Sequence, residues 1–279
     1  MIISGRKFGF LVFTLLVVLF VFVTNFYYPL RSYLIMFPVS KYYQFTGLFR
    51  EIPLHIPSGS LAGRGSFFPY VLYFNAGEGF ARYLNLKEDI QLSIIYNFGN
   101  FSFGKKYAAY FDPQSDLYSA FYGAYAVNNK ELFFTADGKI KIEKLTAVPA
   151  YDQKYLVMPA IGLAANDVTF EADSITIEED VHYIELPGWG RIDAMLKTNT
   201  PAHRYRTRQI GYLQYGVPKG LEVKSDYQVE LLAARVYCRY FAEYNATIVF
   251  YIMAKDRELV EEIDTVILSR SLLKKKKEY

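Results

Sequence analysis

The sequence predicts an α+β protein: an N-terminal transmembrane helix, then a β-rich extracytoplasmic domain that closes with a strand and an amphipathic helix. Three observations predict it. No charged side chain occurs between Lys7 and Arg31, a run that at about 1.5 Å per residue reaches roughly the thickness of a hydrocarbon core. Short apolar segments with period-two alternation, separated by turn residues, then recur along the chain. Last, the apolar run "ATIVFYIMAK" precedes Asp256, which is placed to cap a helix with Leu259, Ile263, Val266 and Ile267 on one face.

Taken in order, residues 1–7 read as a short cytoplasmic tail and 8–30 as a signal-anchor. Phe26, Tyr27 and Tyr28 before Pro29 match aromatic rings seated at the headgroup level. A cleavable signal needs small residues at its processing site, yet the first alanine is Ala62, so the anchor is expected to stay. Residues 31–58, with prolines at 29, 38, 53 and 57 in and beside them, read as a stiff juxtamembrane stalk. Residues 59–279 form the domain, with a candidate lobe boundary at 147–152.

Within the domain, "DIQLSIIYNFG" alternates as a half-buried strand. "SAFYGAYAV", "ELFFT" and "KIKIEKL" then read as a meander with turns at Asn128–Asn129 and Asp137–Gly138. "DSITI" and "VHYIEL" read as the arms of a hairpin tipped by Glu179–Asp180, and "PGWGR" as a loop. Residues 228–244 fit both periods; Val229, Leu232, Val236 and Tyr240 favour a helix.

The formal charge of +3 is local, since Lys274 to Lys277 less Glu278 supply it. Without a broad basic field, nucleic acid is not an expected partner. The single cysteine, Cys238, excludes an internal disulfide. The 26 tyrosines and 23 phenylalanines are spread along the whole chain and offer amphipathic faces for packing or ligands.

Three groups of residues carry candidate chemistry. Arg204, Arg206 and Arg208 fall on one strand face, about 7 Å apart, a spacing suited to successive anionic groups of a polymer, lipid or protein partner. The bland alternative is edge-strand protection. Trp189 stands between glycines, where an exposed ring would stack on a sugar or anchor a partner; folding back onto the core is the alternative. Glu178, Asp180 and His182 share one face if the strand runs straight, which would make an acid/base pair or a divalent-metal site; as a hairpin tip they are simply solvated.

The nucleophile-elbow, phosphate-loop and H-E-x-x-H patterns do not occur. The expectation is therefore a single-pass membrane protein with no cofactor, a non-catalytic binding or scaffolding component of a cell-envelope assembly. A membrane-tethered hydrolase of envelope polymer, using carboxylates, is the alternative.

Overall fold

The computed structural model describes residues 5–43, 46–68, 72–86, 90–157, 167–199, 211–212 and 228–273. It has mixed helices and a large antiparallel sheet, so the α+β class holds.

Helix α1 (Gly5–Val23) is apolar and unburied, and it is the one described helix long and apolar enough to cross a membrane. It stops short of Leu30 because Asn25 adopts a left-handed conformation at φ 58°, a position asparagine tolerates at helix ends. The chain resumes as α2 (Tyr27–Tyr43), so the first part of the expected stalk is helical. Ser32, Met36 and Ser40, one turn apart, form its buried stripe.

Next come the short strands β1 (Leu54–His55), β2 (Ser60–Leu61) and β3 (Gly65–Ser66), then β4 (Leu72–Ala76) and helix α3 (Glu78–Tyr83). Strands β5 (Leu92–Phe98) and β6 (Phe121–Val127) follow, then helices α4 (Ile142–Leu145) and α5 (Ala147–Tyr151). The chain continues through β7 (Phe170–Tyr183), β8 (Leu186–Thr198), β9 (Glu230–Phe241) and β10 (Ala246–Ala254) to helix α6 (Arg257–Val266) and β11 (Leu272–Leu273), which pairs with β1.

The sheet order is β4-β5-β6-β10-β9-β8-β7, all pairs antiparallel. Two meanders therefore meet where β6 pairs with β10, and each half of the chain contributes to one continuous sheet. Both faces are covered. On the first face, Tyr122, Ala124, Phe250, Ile252 and Tyr237 pack against the 49–67 segment and α6. On the second, Ile94, Tyr125, Val249, Tyr251 and Ile192 pack against α2, α3 and the β6–β7 crossover that carries α4 and α5.

This double covering explains several departures from the sequence reading. β5 is buried on both faces rather than one. The 228–244 segment, read as a helix, is strand β9 with a short 3₁₀ turn after it. Its alanines and leucines favour a helix locally, but β8 pairs with it from Glu230 to Cys238 and β10 from Ala233 to Phe241, and this tertiary context outweighs the propensity. "ELFFT" is a turn joined to Ile140 by one isolated bridge at Phe134, and "KIKIEKL" ends as α4, because this segment belongs to the crossover and has no free sheet edge beside it.

β10 and the capped helix match the reading: the Asp256 carboxylate accepts from the Leu259 amide at 2.8 Å, and Leu259, Val260 and Ile263 are buried.

Candidate functional site

The β6–β7 crossover leaves a groove over the second sheet face, enclosing about 800 Å³ of space with its mouth included. Its floor is formed by alternate residues of β5, β6 and β8–β10, among them Tyr96, Ile192, Ala194 and Val236. Its wall is formed by Leu145, Val148 and Pro149 of the α4–α5 region. Its lining is chiefly aliphatic and aromatic, as in small-molecule sites, which are commonly apolar with a few placed polar groups.

Two such groups are present. Immediately after α5 the chain widens into a π-helical turn, Asp152–Val157, a geometry often found at functional sites. It places Asp152 and Gln153 in the lining. Asp152 is buried, and removal from water pushes its carboxyl up to about 7, opposed only in part by a hydrogen bond donated by the Tyr96 hydroxyl. Among the described lining residues there is no lysine, arginine or histidine to offset that charge. The Gln153 Oε1 atom is buried with no hydrogen-bond partner among the described residues, a costly arrangement unless something donates to it.

Neither residue stands out in the sequence. The only local signal is an Asp beside a Gln after an apolar, proline-containing stretch, which reads equally well as an ordinary helix end.

The residues singled out from the sequence are distributed otherwise. Glu178, Asp180 and His182 lie on β7, an exposed edge strand, and none lines the groove. The expected tip at Glu179–Asp180 is instead a bulge, with Asp180 at φ 57°, and the hairpin turns at Ile184–Glu185. A bulge inserts a residue and re-aims the side chains beyond it, so the straight face that would have grouped the three does not form. Glu178 instead meets Arg191 at 2.9 Å. Among the described residues no group of three metal-ligating side chains converges.

Trp189, expected on a loop tip, sits within β8 and is fully buried, with its ring centroid 5.5 Å from those of both Phe241 and Phe250. Its flanking glycines serve the sheet rather than a loop. Gly188 takes φ 79° where β8 carries its extra residue, and a Cβ on Gly190 would lie 2.2 Å from Ile140 Cδ1. Arg204, Arg206 and Arg208 lie outside the described residues. Cys238 is buried and its thiol is pushed up to about 12 by desolvation, which makes it unreactive.

No protein-family model, curated protein or solved structure matches this chain. The geometry alone carries the functional argument.

Proposed function

We propose that the chain is a membrane-anchored, non-catalytic binding component of a cell-envelope assembly. In this reading α1 is its single span, the sheet domain is extracytoplasmic, and the groove beneath the β6–β7 crossover is its ligand site. The observation that carries the binding reading is the groove itself: an apolar groove with one buried carboxyl and one amide oxygen unpartnered among the described residues. That pattern fits an elongated apolar ligand whose polar end donates hydrogen bonds.

The hydrolase reading has less support. Carboxylate-based hydrolysis of a glycosidic polymer uses two carboxyl groups across the scissile bond, and Asp152 is the only acidic side chain among the described lining residues. A polymer also needs an open polar cleft, whereas this groove is aliphatic and aromatic.

The test is binding of the neutral fluorophore N-phenyl-1-naphthylamine to the purified full chain in detergent. Saturable uptake, displaced by dodecylamine and abolished by Ala194→Trp, which fills the groove floor, is the expected result. Uptake that Ala194→Trp leaves unchanged in a folded protein would refute the groove as the site.

A further inference from the structure

A second feature lies at the junction between α1 and α2. The Asn25 side chain, in the left-handed residue that ends α1, donates to the backbone carbonyl of Gly104 at 2.8 Å. This bond ties a distant loop to the end of the span. The loop is a tight turn closed by the Lys105 amide on the Ser102 carbonyl, with Gly104 at φ 75°. Its corner residue, Phe103, is 79% exposed, the most exposed large apolar side chain among the described residues outside the two N-terminal helices.

A phenylalanine held that far into water is unfavourable relative to burial, and nothing in the described fold covers it. Helix α2 presents a matching surface. With Ser32, Met36 and Ser40 turned inward, Leu30, Tyr33, Leu34 and Ile35 remain exposed on its other side. No acidic residue precedes Glu51, while Arg31 and Lys41 lie on α2 and Lys106 follows the turn; the turn's own Lys105 is paired with Asp112 at 3.0 Å. Apolar and aromatic groups interleaved with cations, continuous with a spanning helix, are what an interfacial membrane surface requires.

We propose that Phe103 and the outer face of α2 insert together into the headgroup–acyl boundary of the bilayer that α1 crosses, fixing the domain against the membrane rather than leaving it on a free tether. The occupant of this surface is lipid, and the proposal rests on α1 spanning the bilayer. The Asn25–Gly104 hydrogen bond sets the depth, because it holds the Phe103 turn at the level where the span ends.

The test uses the full chain reconstituted in vesicles of phosphatidylcholine with phosphatidylglycerol, carrying Phe103→Trp, Leu34→Trp or, as a control on the exposed β7 edge, Glu179→Trp. The native Trp189 is buried and supplies a constant background. Lipids brominated high on the acyl chain are expected to quench the Phe103→Trp and Leu34→Trp emission by about half or more, with a blue shift, and to leave Glu179→Trp unaffected. Phe103→Trp emission that is quenched by aqueous iodide and not by bromolipid, in protein retained after alkaline carbonate extraction, would overturn the interfacial contact alone. Release by carbonate would overturn the span, and this proposal with it.

Discussion

The phenol rings of Tyr183 and Tyr237 lie face to face, 3.6 Å between centroids and 7° between planes, and their hydroxyls donate to the two oxygens of Asp264 at 2.9 and 2.6 Å. The end of β7, the middle of β9 and helix α6 are thereby fastened at one buried carboxylate. Arg235 completes the site, reaching Asp264 at 3.1 Å, Glu261 at 2.6 Å and Asp193 at 2.7 Å. Both tyrosine hydroxyls are held above their ordinary range, first by desolvation and then by the Asp264 charge.

Removing Asp264 strands two buried hydroxyls and part of a guanidinium. Asp264→Ala is expected to cost about 3–5 kcal/mol, the usual cost of breaking a buried charge pair from one side, and Asp264→Asn less. Urea unfolding of the detergent-solubilised chain measures both. A loss under about 1 kcal/mol for the alanine variant would contradict the fastening role.

Gly123 shows a different constraint. Opposite it in the sheet, Tyr251 donates to the Ile95 backbone carbonyl at 2.6 Å, and a Cβ on Gly123 would lie 1.9 Å from that carbonyl oxygen and 2.7 Å from the Tyr251 hydroxyl. Gly123→Ala is expected to cost about 3 kcal/mol from strain and a lost hydrogen bond together. Tyr251→Phe alone should cost about 1 kcal/mol and should not rescue Gly123→Ala, because the nearer clash is with backbone. Rescue in the double variant would place the strain on the side chain instead.

The β7–β8 turn places two non-glycine residues in left-handed conformations, Ile184 at φ 44° and Glu185 at φ 64°. Ile184 packs partly against the core, while Glu185 is exposed. Glu185→Gly relieves local strain of about 1–2 kcal/mol and gives back part of it as unfolded-state entropy. A net gain of about 0.5–1 kcal/mol is expected, read as a higher urea midpoint at unchanged slope.

Asp152 makes stability depend on pH. An unfolded carboxyl ionises near pH 4, whereas in the groove it does so at about 7. Between those values the folded chain holds the proton more tightly, so stability contributed by this group is full below about pH 4, falls as pH rises, and levels off above about 7. The wild-type protein is expected to lose on the order of 4 kcal/mol across that window relative to Asp152→Asn. Parallel pH dependences of the two proteins in urea unfolding would show that Asp152 is not the titrating group.

Local signals were sufficient wherever one residue's own chemistry decides the outcome. The uncharged run gives α1, the Asp256 carboxylate gives the start of α6, and the nine-residue β-branched and aromatic run gives β10. These elements depend on periodicity and capping, which act over a few residues. Tertiary structure decided the rest. Residues 228–244 became a strand because β8 and β10 lie on either side of it. Trp189 became core because the strand runs through the apparent loop and turns the ring onto Phe241 and Phe250. The bulge at Asp180 dispersed Glu178, Asp180 and His182, a register effect that no spacing rule anticipates. Asp152 acquired its raised proton affinity only because the crossover lays α4 and α5 over the sheet and excludes water, a pairing of segments far apart in sequence whose energy exists only once the chain has closed.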